Sequence, residues 1–151
     1  MDLTNLQNII QGLESFNAHD EIVGIIDSNS DVLVQLEREQ LIEGVDKDGN
    51  PRNDAYAPMT IRIKEEYGHG PGAITDHVTF YMTGALNESL FYSIAGDEFS
   101  FKSPLETYGK MLDRIGDDKF GLDPQQRLFF AEEKLLPHFA EILFQKTTLK
   151  L

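Results

Sequence analysis

The chain has 151 residues, no cysteine, and 26 acidic against 13 basic side chains, for a formal net charge of −13. Without cysteine there are no disulfides, thiolate nucleophiles or cysteine-ligated zinc or iron–sulfur sites, and an acidic balance with no basic stripe speaks against affinity-driven binding to a nucleic acid backbone. The length suits one domain burying roughly 70% of the surface of its unfolded chain; no apolar run approaches the ~20 residues of a membrane span, and Met1-Asp2-Leu3-Thr4 lacks the basic start and apolar core of a signal peptide, so a soluble, intracellular protein with no membrane partner is expected.

Three parts follow one another: a helical N-terminal part over 2–43, a loop and β-meander core over 45–104, and a C-terminal helical part over 106–145. Leu3, Leu6, Ile9 or Ile10, Leu13 and Phe16 recur at three- and four-residue steps and predict an amphipathic helix over about 2–16. Asn17-Ala18-His19-Asp20 ends it. The stretch 21–26, which contains Gly24, is open between a helical turn and a strand. Asp27-Ser28-Asn29-Ser30 clusters helix-capping residues, after which Val32, Leu33, Leu36 and Leu41, spaced among Glu37, Arg38 and Glu39, give a second amphipathic helix. Gly44 stops it where a left-handed C-terminal residue belongs.

Asp46, Asp48 and Asn50 have the spacing of the first, third and fifth ligands of a calcium loop, but Pro51 and Ala57 stand where such a loop needs glycine and glutamate. The passage therefore reads as a solvent-exposed turn in which charge reversal of Asp46 and Asp48 is tolerated. Pro58 suits the first turn of a helix over 59–67, ended by Gly68, although Thr60, Ile61 and Ile63 also fit a strand. Gly68-His69-Gly70-Pro71-Gly72 is a flexible loop without the Lys-Ser/Thr of a phosphate cradle.

Residues 78–81, 89–94 and 98–102 are short β-branched and aromatic runs bounded by turn residues, and predict a meander of three strands. The chain breaks after the first at Thr83-Gly84 and turns between the others at Ala95-Gly96-Asp97. In the last strand Glu98, Ser100 and Lys102 alternate with Phe99 and Phe101, which gives one solvated and one packed face. Residues 106–115 form a short amphipathic segment with Gly109 inside it, and Gly116-Asp117-Asp118-Lys119 is a polar break. Asp123 as N-cap, Pro124 at the first helical position and Gln126 in a capping box then start a helix. Its apolar face carries Leu128, Phe129, Leu135, Leu136, Phe139, Ile142 and Leu143, and Pro137 should kink or split it near Lys134. Residues 145–151 read as a frayed tail or strand. The expected fold class is α+β: a small antiparallel β-sheet, a meander, covered by amphipathic helices.

No reaction centre is read. His19, His69, His77 and His138 lie on different elements and none has metal-ligand spacing; Glu65-Glu66 and Glu132-Glu133 read as solvated pairs; Ser89 and Ser93 lack a nucleophile elbow. Catalytic, metal and cofactor residues are expected to be none. The aromatic crowd of Phe80, Tyr81, Phe91, Tyr92, Phe99, Phe101 and Tyr108 either fills a core or leaves a sheet face as a subunit interface, for which Phe80, Phe91, Tyr92, Phe99 and Phe101 are the candidates.

Three passages carry a resemblance. The first is Gln40-Leu41-Ile42-Glu43-Gly44-Val45-Asp46-Lys47-Asp48-Gly49-Asn50-Pro51; the second is Tyr56-Ala57-Pro58-Met59-Thr60, leading to Lys64; the third is Thr83-Gly84-Ala85-Leu86-Asn87-Glu88-Ser89. In this order, over about 32–102, they resemble the tailed-phage virion morphogenesis or tail completion proteins, small proteins at or near the head–tail connector; 106–145 has no counterpart in that pattern. The resemblance implies a non-catalytic structural virion protein of the neck or tail, located in the virion and, during assembly, in the host cytoplasm. It implies a head-to-tail homo-oligomeric ring in contact with other neck or tail proteins. It makes Gly44, Asp48, Gly49 and Pro51 an exposed structural turn, and Thr83 with Gly84 the reversal that opens the hairpin. The acidic balance would suit a negatively charged lumen that DNA passes without specific binding. Charge alone supports a second expectation: an acidic cytoplasmic adaptor or inhibitor domain that captures a basic protein partner.

Overall fold

A computed structural model describes residues 3–52, 55–96, 98–116 and 120–147. It shows an α+β chain, mostly helical, with one two-stranded antiparallel sheet among the described residues. Expectations for Asp2, Asp97, Asp117, Asp118, Lys119 and residues 148–151, and for the side chains of Leu3, Leu6 and Leu13, fall outside what is described. The chain collects into two compact units, one drawn from 1–30 with 128–151, the other from 31–127. They cut across the three parts read from the sequence, because the first and last helices belong together.

The first unit holds α1 (Leu3–Glu14) and α2 (Ala18–Ser28), and, from Leu128, the end of α7 (Pro124–Phe130), a π turn over Ala131–Leu135 and α8 (Leu136–Thr147). The ambiguous 21–26 stretch is thus helical. Asn17 caps α2 by accepting the His19 N–H (3.2 Å), and Asn29 closes it by donating its side-chain amide to the Ile25 carbonyl (2.8 Å). Phe16 meets Phe139 edge-on at 5.6 Å, and Ile25 and Phe130 are buried. Pro137 does not split the helix. The turn before it relaxes to π spacing, in which the Leu136 N–H donates to the Ala131 carbonyl, five residues back. The His138 ring also lies 2.7 Å from the Lys134 carbonyl through Nδ1, satisfying a group next to the place where proline removes a donor.

The second unit runs through α3 (Ser30–Glu43), α4 (Pro58–Tyr67), a 3₁₀ turn (Gly70–Ala73), α5 (Ala85–Ser89), the hairpin β1 (Phe91–Ala95) and β2 (Glu98–Lys102), and α6 (Glu106–Ile115), to the start of α7. Its core gathers Leu33, Val34, Leu41, Val78, Leu86, Leu90, Phe101, Tyr108 and Leu122. Gly44 ends α3 with φ +71°, and the Val45 N–H returns to the Gln40 carbonyl (3.3 Å), a C-terminal bond that only a left-handed residue at Gly44 permits. The loop then folds on itself through a bridge between Val45 and Pro51. Asp46 is buried, contrary to the sequence expectation: its Oδ1 accepts the N–H groups of Asp48 (3.0 Å) and Asn50 (2.9 Å), so it builds the turn from inside, while Asp48 and Gly49 are exposed.

The expected first strand at 78–81 does not form. Phe80 takes φ +51°, which breaks the pleat, and side chains satisfy the local backbone instead. The Thr79 N–H donates to the Tyr56 hydroxyl (2.9 Å), the Tyr81 N–H to Thr79 Oγ1 (3.1 Å), and the Tyr81 carbonyl accepts from Lys64 Nζ (2.7 Å). Lys64, only 1% exposed, also donates to the Gly72 carbonyl (3.1 Å) and lies 4.7 Å from the centre of the Tyr56 ring. The passage from Tyr56 to Lys64 therefore acts as a clamp that replaces a sheet ladder. Thr83 and Gly84 likewise open a helical turn and not a strand reversal: Gly84 (φ +87°) is the N-cap of α5, and Thr83 Oγ1 accepts the Ala85 N–H (3.4 Å). The remaining hairpin pairs Phe91 with Lys102 through Ala95 with Glu98, and Gly96 (φ +63°) begins its two-residue turn.

Candidate functional site

The site grows from the buried face of α3. Leu33, Glu37 and Leu41 step by four residues, and Gln40 falls beside them, so two polar side chains sit in an apolar stripe; both are 0% exposed. Gln40 is satisfied at long range: Nε2 donates to the Gly121 carbonyl (2.7 Å), and Oε1 accepts the Asp123 N–H (2.8 Å). Glu37 Oε1 accepts the Gly121 N–H at 3.4 Å, while Oε2 is buried with no hydrogen-bond partner. Burial pushes the Glu37 carboxyl up to about 7, against the opposing pull of the Gly121 N–H and the Arg52 charge. These two α3 side chains thus hold the 121–123 passage through its backbone, at the N–H and carbonyl of Gly121 and the N–H of Asp123.

Arg52, also buried, places its guanidinium 4.7 Å from the centre of the Phe80 ring and 4.9 Å from that of Phe120. The two rings lie 5.8 Å apart. A cation lying over two neighbouring aromatic rings gives a physical reason for the unusual backbone at Phe80, since the left-handed residue turns its ring onto the guanidinium. Phe120 continues the stack to Tyr108 at 5.6 Å. The Tyr108 hydroxyl donates to the Phe101 carbonyl (2.9 Å) and is pushed up to about 12, first by burial and then by the Glu37 charge, with Arg52 opposing.

Above this layer lies a cleft of about 460 Å³, lined by Phe99, Ser100, Phe101 and Lys102 of β2, by Tyr108 and Leu112 of α6, by Phe120, Gly121 and Leu122, and by Lys47 and Arg127. That volume is in the range of small-ligand and side-chain pockets. Three of its lining residues are cationic and none of the described ones is acidic. Among the described residues no ion pair involves Lys47, Lys102 or Arg127; Lys102 donates to the Ser93 hydroxyl (3.3 Å) and Arg127 to the Lys47 carbonyl (3.5 Å).

The structure separates the aromatic residues read as a subunit face. Phe91 and Phe99 are exposed (47% and 38%), Tyr92 is half-buried, Phe101 is buried in the core, and Phe80 belongs to the Arg52 stack. Of the turn residues, Gly44 and Gly84 are buried and Asp48, Gly49, Pro51 and Thr83 are exposed. Sequence reasoning missed Glu37, Arg52 and the three cleft cations. The four-residue step Leu33–Glu37–Leu41 was a usable signal for Glu37; nothing local marks Lys47, Lys102 and Arg127, which come together only through the fold. No cluster of metal-ligating side chains occurs among the described residues, and no described helix is long and apolar enough to cross a membrane. Comparisons with protein-family models, with curated proteins and with solved structures find no match for this chain.

Proposed function

We propose that this chain is a structural protein of a tailed-phage particle, of the tail completion or neck type, that works by assembling with copies of itself and with neighbouring neck or tail proteins and not by catalysis. The observation that carries this reading is the hairpin. A two-stranded sheet is marginal in water, yet this one presents two large aromatic side chains, Phe91 and Phe99, to solvent, and among the described residues each of its strands is paired on one side alone. Exposed aromatic area beside open strand edges is what a repeating subunit contact uses and what a monomer avoids. The order of the three motif passages supports the same reading; in this fold they form the Gly44–Pro51 turn, the Tyr56–Lys64 clamp, and the Gly84 cap of the helix that leads into β1. The charge of −13 suits a ring whose inner surface lets DNA pass without adhering.

Sedimentation velocity and negative-stain electron microscopy of the purified chain test the proposal. A discrete ring-sized multimer is expected, and Phe91→Asp with Phe99→Asp should return it to monomer while leaving the far-ultraviolet spectrum unchanged. A chain that stays monomeric at high concentration, finds no partner among neck or tail proteins, and captures a basic protein in a salt-sensitive way would favour the adaptor reading instead.

A further inference from the structure

The cleft in the second unit has a position that its lining residues define. Four consecutive residues of β2, Phe99 to Lys102, line it, and they come from both pleat faces; no residue of β1 lines it. A cleft reached by both faces of one strand, and by neither face of its partner, runs along the outer edge of that strand. At that edge the backbone is open: among the described residues no backbone hydrogen bond joins β2 to anything except β1, and one β2 carbonyl, that of Phe101, is taken by the Tyr108 hydroxyl. Across from the edge stand the apolar side chains of Leu112, Phe120 and Leu122, with the cations Lys47, Lys102 and Arg127 around them.

We propose that this cleft is a docking site for an extended, acidic peptide segment of a partner protein, which adds as a strand to the edge of β2 and places one large apolar side chain in the cavity. Main-chain pairing along β2 supplies register, the aromatic floor supplies the contact area, and the three cations select the charge of the guest. The charge argument is specific to this chain. Where acidic side chains outnumber basic ones by two to one, three basic residues meet at one cavity with no described carboxylate among its lining residues. A basic or neutral segment would leave those charges without counterparts, whereas carboxylates flanking an apolar residue would meet them. The cleft shares Phe99 and the β2 edge with the subunit contact proposed above, but Phe91 lies outside it, so the Phe91→Asp variant separates the two readings.

The test uses the full chain and a fluorescently labelled blocked peptide, Asp-Phe-Asp-Val-Glu, with Lys-Phe-Lys-Val-Lys as its charge-reversed control. Fluorescence anisotropy is expected to show saturable binding of the acidic peptide, weakened by added salt and about tenfold weaker for Lys102→Glu combined with Arg127→Glu. Both side chains are exposed, and the circular dichroism spectrum should be unchanged. Hydrogen exchange with the acidic peptide bound should slow at the β2 amides. Equal binding of the two peptides, undiminished binding by the charge-reversed protein, or slowed exchange confined to other elements would overturn the proposal. So would a cleft filled by a second copy, seen as a multimer that dissociates in the charge-reversed variant while the peptide fails to bind wild type. Assembly through the hairpin face is read separately with Phe91→Asp, a position outside the cleft.

Discussion

Glu37 is a carboxylate that the fold buries completely. In water its carboxyl would titrate near 4.5; inside the second unit burial moves it to about 7. Because the folded chain holds this proton more tightly than the unfolded chain, the group costs nothing below pH 4.5 and lowers stability progressively as pH rises from 4.5 to about 7, above which the full penalty remains. The size of the shift corresponds to about 3 kcal/mol. Urea unfolding at about pH 5 and about pH 8 should therefore show Glu37→Gln gaining on wild type by about 2 kcal/mol between the two conditions, since part of the penalty is already present at pH 5. The general repulsion among acidic residues is common to both proteins and drops out of the comparison, and a constant difference across pH would show that the carboxyl ionises freely. Lys64 handles the opposite charge differently. Its ammonium is buried without a carboxylate partner among the described residues, but two carbonyls and the Tyr56 ring surround it, so the charge replaces backbone pairing that the 78–84 passage lacks.

Among the elements, α1, α3, α6 and α7 were legible, the helices at 21–26 and 59–67 stayed open to a strand reading, α5 was missed, and the sheet was only partly legible. Asp123 and Pro124 start α7 as their local chemistry requires, with the Gln126 N–H bonding to Asp123 Oδ1 at 2.8 Å. The capping box did not close, because the Asp123 N–H is taken by Gln40 and the Gln126 side-chain amide donates to the Leu36 carbonyl (2.9 Å), partners more than eighty residues away in sequence. The first strand of the meander was misread for a related reason. The composition of 78–81 suits a strand, yet tertiary contacts from Tyr56, Lys64 and Arg52 satisfy that segment in another conformation. Gly84 carries the consequence. A Cβ there would stand 2.7 Å from the Tyr81 hydroxyl on a backbone with φ +87°, so Gly84→Val should destabilise the protein by about 2–3 kcal/mol, and any ring that forms should be lost with the fold. Wild-type denaturant midpoint in that variant would show that α5 can begin elsewhere.

At the scale of the molecule the two units differ in how much core they possess. Among the described residues the first buries Ile25 and Phe130, whereas the second buries nine large apolar side chains. Burial of apolar area is the main source of local stability. Native-state hydrogen exchange should accordingly show α1, α2 and α8 opening at lower free energy than α3 and α6, and equal protection of both sets would mean that the helices of the first unit are held by something besides their own core. Some of this was determined by the sequence alone: the fold class, the helix start at Pro124, the stop at Gly44, the final hairpin, and an acidic, cysteine-free composition. Each depends on a residue's own backbone limits or on the period of its near neighbours, which are properties a chain carries before it folds. The burial of Glu37, Gln40 and Asp46, the guanidinium held over Phe80 and Phe120, and the meeting of Lys47, Lys102 and Arg127 at one cleft were decided only by the tertiary structure. Those arrangements join residues tens of positions apart, and what brings such residues together is the packing of whole elements, which no local pattern records.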